Sequence, residues 1–214
     1  MTRPLGTRNA QFEDRRQALL LKAGARLAVQ NEDAPSFREL ALACGVSVAT
    51  LRHYFVNRET LIKELFTLHL DTGRRHLQNA QRPPAARESI ESSLRDVLER
   101  IARGWTSGFL GSLHRIGLSE GLRHSATALD YLVDVLEPTL QALEKRLQAS
   151  IEQGLIIECD TRHAALALVS PLLLALLHQH DLGGTRCRPL SVPNLITEQV
   201  NMFSRAYRKD VAGG

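Results

Sequence analysis

Residues 36–55 read SFRELALACGVSVATLRHYF, and the order of chemistries in this stretch decides how the chain folds. Ser36 is a favoured N-cap, and Glu39 three residues later completes a capping box that satisfies two orphan backbone donors. Leu40, Ala41 and Ala43 follow as small apolar packing residues of a short helix ending near Cys44. Gly45 supplies a turn position where a positive φ costs nothing. Ser47 caps a second helix, kept short because Asn57 reads as the next N-cap. Two short helices joined by a tight turn make a helix-turn-helix, whose second helix lies in the major groove when the motif reads DNA.

The faces of that second helix follow from its period of about 100° per residue. With Leu51 at zero, Phe55 falls at about 40° and Val48 at about 60°, an apolar flank for packing on the first helix. Ala49, Thr50, Arg52 and His53 fall on the other side. A small residue, a hydroxyl, a guanidinium and an imidazole are groups that read base edges or hold phosphates.

Outward from this centre the pattern is helical. A helix from about Gln11 to Gln30 carries Leu19, Leu20, Ala23, Leu27 and Ala28 at helical spacing, after a basic lead-in with Arg3 and Arg8, and Asn31 to Pro35 ends it. Asn57 opens a helix to about Asn79, roughly 30 Å long at about 1.5 Å per residue. Pro83-Pro84 marks the boundary after it. Beyond it come an amphipathic stripe from Ile90 to Trp105 and a helix from Phe109 to Leu122. A long helix from Thr127 to Gln153, kinked or divided at Pro138, leads to an apolar helix from Thr161 to His180 and a last one from Pro193 to Arg208.

The expected organisation is residues 1–56 as a DNA-binding domain, 57–80 as a connecting helix and 81–214 as a second helical domain. Charge agrees with that division: residues 1–80 hold 12 Lys/Arg against 8 Asp/Glu, and residues 81–214 hold 15 of each, so the whole net charge of +4 sits with the helix-turn-helix. The three widely spaced cysteines form no zinc or disulfide pattern, and reduced thiols of a cytoplasmic protein are the expectation. The longest apolar run, Ala164–Leu177, is shorter than the ~20 residues that span a bilayer, so no membrane partner is expected.

Gly45-Val46-Ser47-x-x-Thr50-Leu51-x-His53-Tyr54-Phe55-x-Asn57-Arg58-Glu59-x-Leu61 resembles the signature of TetR/AcrR-type transcriptional regulators. Val48 stands where a Lys is common, Ala49 where a Gly is common and Arg52 where a Tyr is usual, departures that bear on the operator and on phosphate contacts. Weaker likenesses follow in Glu120-Gly-Leu-Arg123, Glu137-Pro138, Glu152-Gln-Gly154, Asp160-x-x-x-Ala164-Ala165 and Pro171-Leu-Leu-Leu174, so that residues from about 15 to 205 are covered. The resemblance implies an all-α fold, a three-helix DNA-binding domain followed by a helical ligand-binding and dimerisation domain. It implies a double-stranded DNA operator touched by Arg38, Ser47, Val48, Ala49, Thr50, Arg52, His53, Tyr54 and Arg58. It further implies a homodimer built on the last two long helices, and a repressor released by a small lipophilic or aromatic effector. Trp105, Phe109, His114, Tyr131 and His178 are the ligand-like side chains of the second domain. No cofactor and no catalysis are expected; a regulator or activator without an effector is the alternative.

Two other patterns compete. Gly117-Leu-Ser-Glu-Gly121 matches the nucleophile elbow of α/β-hydrolases, but that chemistry needs Ser119 on a strained turn between a strand and a helix. Leu110–Ile116 reads as helix, and the chain has no parallel-sheet pattern. His178-Gln-His180 with Cys187 suggests a metal site, but residues two apart on a helix point in different directions. No metal is expected.

Overall fold

The computed structural model describes residues 5–29 and 34–209, and its regular structure is helical, with one isolated antiparallel bridge between Ile156 and Arg208. Arg3 and residues 30–33 lie outside the described residues, and the first helix ends at Leu27, short of the expected Gln30. Helix α1 spans Leu5–Leu27, α2 Phe37–Cys44, α3 Val48–Tyr54 and α4 Arg58–Gln81. Then come α5 Ile90–Ser107, α6 Leu110–Gly121, α7 Ser125–Tyr131 and a π-helical segment Leu132–Leu136 leading into α8, Glu137–Glu152. The chain closes with α9 Thr161–Leu176, a π turn Leu177–Asp181, the short α10 Gly184–Cys187 and α11 Val192–Tyr207. Helix α1 starts six residues before the expected Gln11, taking Arg8 out of the lead-in. Ala10 and Gln11 are exposed, so its first turns leave no apolar period to read.

Packing divides the chain into two compact units, residues 1–71 with 115–134 and residues 72–114 with 135–214. The expected single boundary near residue 80 differs from this, because the second half returns residues 115–134 to the first unit. In that unit Leu40, Leu51, Phe55, Leu61 and Phe66 lose all contact with solvent, each contributing about 1.5–3 kcal/mol. The second unit is built on Leu94, Leu98, Leu143, Leu147, Leu172 and Val200, from α5, α8, α9 and α11.

The two internal prolines have opposite outcomes, and each has a cause. A proline removes one N–H and crowds the carbonyl four residues earlier. At Pro138 that carbonyl belongs to Asp134, and the ladder widens into the π segment, with the Thr139 hydroxyl donating to Val135 O at 3.4 Å. At Pro171 the helix continues. The orphaned carbonyl there is Ala167 O, and the buried Gln199 of α11 donates to it at 3.1 Å and also to Leu168 O. With the π turn, Thr161–Asp181 makes 21 residues whose most apolar 18-residue window has a mean hydropathy of 1.3, long and apolar enough to cross a membrane by length and composition. Ala164, Ala165, Leu168, Val169, Leu172 and Leu176 instead enter the core of the second unit.

Arg146 of α8 is 2% exposed. Its guanidinium donates to Ala80 O at 2.7 Å, Asn79 O at 2.8 Å and Ser93 O at 3.2 Å, and to the Ser93 hydroxyl. Asn79 and Ala80 lie in the last turn of α4, whose carbonyls have no intrahelical partner, so Arg146 caps that helix from the side. Desolvation lowers the guanidinium's pKa from its ordinary value, with the charges of Glu88 and Asp96 acting against the shift. Arg146→Leu strands several buried acceptors at about 1–3 kcal/mol each. We expect a loss of at least about 3 kcal/mol in urea unfolding, not restored by Arg146→Lys, since one ammonium cannot reach all four acceptors. An unchanged midpoint in either variant would remove Arg146 from this role.

Candidate nucleic-acid interface

The helix-turn-helix forms as its local chemistry dictates. The Ser36 hydroxyl accepts from Glu39 N at 3.3 Å, and Ser36 N donates to the Glu39 carboxylate at 2.7 Å. Those bonds hold the Glu39 carboxyl below its usual range. Gly45 ends α2 at φ 70°, ψ 32°, the left-handed region a side chain rarely adopts. Ser47 caps α3, its hydroxyl accepting from Thr50 N at 3.0 Å and lying 2.9 Å from the Thr50 hydroxyl. Asn57 then accepts from Thr60 N at 2.8 Å and opens α4.

Leu51 and Phe55 are buried, while Ala49, Arg52 and His53 are exposed beside the exposed Ser47 and Arg38. Val48 and Thr50 are half-buried. Tyr54 is half-buried too, stacked on Phe12 of α1 with ring centroids 4.8 Å apart and planes 24° apart, and Phe12 meets His53 edge-on at 5.8 Å. Phe12 therefore buttresses the end of α3. Sequence reading passed over it because a lone aromatic ahead of the apolar stripe has no period to mark it.

Arg58 has a different position from the one expected of a phosphate ligand. Its Nε donates to Pro35 O at 2.8 Å, and its two terminal nitrogens donate to the Glu120 carboxylate, one bond at 2.9 Å and one shorter. The Glu120 side chain is 4% exposed. Hydrogen bonding from Arg58 outweighs desolvation and holds its carboxyl below the usual range. All three guanidinium nitrogens are thereby engaged within the protein, which sets Arg58 apart from the solvent-facing group. Lys63–Asp130 at 2.9 Å, Thr67–Asp134 at 2.8 Å and Arg115–Ala28 O at 3.1 Å tie the same two segments together. Glu120 was legible as part of a weak motif, but its partner, 62 residues earlier, was not.

The five ligand candidates do not share one pocket. Trp105 and His114 stack at 5.0 Å and 15°, and the indole N–H donates to Asp181 at 3.1 Å. Tyr131 belongs to the first unit, against Phe66 and the Cα of Gly117, and burial pushes its phenol up to about 12. A Cβ at Gly117 would lie 2.1 Å from that ring. Phe109 is half-buried and accepts from Leu113 N at the start of α6. The Nδ1 of His178 lies 2.6 Å from the Gln179 amide, and its ring packs on Gly184. Instead, a cavity of about 500 Å³ opens between α5, the π turn and the start of α11, and none of the five lines it. Ser119 sits inside α6 with its hydroxyl donating to Ile116 O at 3.2 Å, so no nucleophile elbow exists.

A helical chain with this motif in one unit and a helical second unit falls in the class of helix-turn-helix transcriptional regulators. Residues 20–65 match the TetR-family model of bacterial regulatory proteins, and residues 92–209 match the C-terminal domain of AefR-like transcriptional repressors. The chain belongs to the TetR family, whose members act by binding DNA and not as enzymes. Among solved structures it is similar to a TetR-family transcriptional regulator from Mesorhizobium loti (TM-score 0.69, 19% identity, 92% of this chain and 98% of that one). It is also similar to GusR of Salmonella enterica (0.67, 19%, 96% and 98%) and PfmR of Thermus thermophilus (0.62, 21%, 87% and 97%). At these identities the likeness is one of fold. No curated protein matches the chain.

Glu120→Gln keeps the shape of the Arg58 pair and removes its charge. Because the folded-state pKa is depressed, the pair's contribution is fully present above the unfolded value near 4.3 and is lost as pH falls through the folded value. The variant should be less stable than wild type at pH 7 by about 1–3 kcal/mol, with the gap closing as pH drops below about 4. Denaturant titrations from pH 7 to 3 measure it; a gap independent of pH would show that the charge is immaterial.

Proposed function

We propose that the chain is a homodimeric repressor that holds a near-palindromic double-stranded operator and leaves it when a small lipophilic or aromatic effector binds the second unit. The observation that carries the DNA-binding half of this reading is the solvent-facing group of Arg38, Ser47, Ala49, Arg52 and His53 around a helix whose Leu51 and Phe55 are buried. Val48, Thr50 and Tyr54 border this group, within reach of base edges or phosphates. With Arg58 occupied by Glu120, phosphate binding falls to Arg38, the α3 hydroxyls and backbone amides.

Dimerisation is supported by an uncovered apolar strip. Leu166 and Leu174 on α9 are eight residues apart and so share a face, and both are exposed, as is Met202 on α11, which packs beside α9. A two-fold axis through such a strip makes an isologous interface and presents two recognition helices to successive major grooves. The effector acts by favouring a conformation whose heads no longer match the half-site spacing, which requires unequal affinity for the two states. The cavity of the second unit supplies room for it.

Capture and sequencing of genomic DNA bound by the protein tests the reading as a whole, and two variants test its parts. Sedimentation should give a dimer at micromolar concentration, and Leu174→Glu, at a residue 66% exposed, should yield folded monomer; a wild-type monomer would sink the dimer. Arg52, exposed between the small Ala49 and the half-buried Thr50 side of α3, suits two bonds to guanine O6 and N7. Arg52→Ala should then cost roughly 1–3 kcal/mol per half-site and relax selection at one base pair. Selection from random DNA by both proteins checks this. An unchanged selected operator with uniformly weaker binding would make Arg52 a phosphate clamp.

A further inference from the structure

We propose that the cavity between α5, the π turn and α11 binds an amphipathic carboxylic acid, its apolar body inside and its carboxylate on Arg103. This rests on the effector reading above and gives that effector a site and a chemical class. At about 500 Å³ the cavity is of the size that encloses small organic ligands. Ala102 of α5, Leu176 of α9, Leu190 and the first turn of α11 with Val192 and Ile196 form an apolar trough. Filling it removes apolar ligand surface from water without burying a protein charge.

The walls are pinned before any ligand arrives. Buried Gln179 donates to Arg188 O at 3.2 Å and accepts from Leu190 N at 3.0 Å, which fixes the 188–190 segment over the cavity. The indole of Trp105 holds Asp181 at the end of the π turn. Walls fixed by bonds of this kind lower the ordering cost of binding. The same stretch, residues 177–181, is a π turn, a geometry found often at functional sites.

The head group follows from charge. Arg103 lines the cavity and is exposed, beside one acidic lining residue, Glu99, with the exposed His180 imidazole as a further polar edge. Arg103 is 61% exposed, and its charge partner among the described residues is Glu99 one turn earlier, at 3.5 Å. Such an exposed i,i+4 pair is worth only a few tenths of a kcal/mol. A ligand carboxylate can take the guanidinium in a two-bond fork, the stronger arrangement. A cationic head would meet the Arg103 guanidinium instead, and an alcohol would gain neither charge nor fork.

Trp105 is the sole tryptophan and adjoins the lining residue Thr106, so its emission reports occupancy without DNA. Octanoate, decanoate and 2-naphthoate, each below its aggregation limit, are titrated into the full chain beside octanol, decanol, 2-naphthalenemethanol and decyltrimethylammonium, with calorimetry as a second readout. At least one acid should saturate, with its alcohol about tenfold weaker and the ammonium ion weaker still. Arg103→Gln should abolish the preference for acid over alcohol, Glu99→Gln should tighten acid binding several-fold, and Ala102→Phe should fill the trough and weaken both. Unchanged circular dichroism and melting in each variant keep the comparison valid, and Arg103→Met, which also removes the charge, replaces Arg103→Gln should that variant fail to fold. No saturable response to any acid, equal binding of acid and alcohol, or indifference to Arg103→Gln would overturn the proposal. An acid that binds as described but leaves the affinity for captured operator DNA unchanged upholds the site and overturns the effector reading.

Discussion

The bidentate pair between Arg58 and Glu120 joins two parts of the chain that the order of residues keeps far apart. Arg58 is the first residue of α4, three positions beyond the buried Phe55 that closes the recognition helix, while Glu120 lies near the end of α6. Taking two charges out of water is costly, and the attraction offsets the cost only where geometry is good and the remaining lone pairs are satisfied. Here the fork is two-pronged and the third guanidinium nitrogen is taken by Pro35 O. The pair also joins α4 to the loop entering α2, so the setting of the recognition helix depends on a residue outside the helix-turn-helix.

Helix α4 is held by guanidinium groups at both ends, in two different ways. At its start its own Arg58 reaches a carboxylate in the first unit; at its finish Arg146 of α8 reaches in to cap its last carbonyls in the second. The first device neutralises charge, and the second leaves a buried cation satisfied by carbonyl and hydroxyl oxygens and by the distant field of Glu88 and Asp96. Both fix a helix end, where backbone groups lack intrahelical partners and a side chain has most to offer. Gln199 applies the same logic within α9, bonding the carbonyl that Pro171 orphans.

Ligand-like residue types proved a poor guide to the cavity. Trp105 and His114 resemble pocket residues because each has an apolar face and a polar edge, but those faces stack on each other and the indole edge is spent on Asp181. Tyr131 fills the space left by a missing Cβ at Gly117. The cavity is instead lined by residues with no such signature, among them Ala102, Thr106 and Ile196, because a void arises from where three elements fail to meet.

By itself the sequence determined the caps and faces that depend on neighbours a few residues apart: the capping box at Ser36, the left-handed Gly45, the Ser47 and Asn57 caps, the buried Leu51 and the exposed Arg52. These are short-range steric and hydrogen-bonding facts, and they sufficed for the helical fold and the family. Helix α1's early start and the extent of the π segments were not legible, since they turn on exposed turns and on how a crowded carbonyl is relieved. Only the tertiary structure decided that residues 115–134 join the first unit, that Arg58 bonds Glu120 and not solvent, that Arg146 is buried, and which helices leave a cavity. Each of those is a contact between residues dozens of positions apart, and no local period or cap encodes which partner will be within 3 Å once the cores have packed.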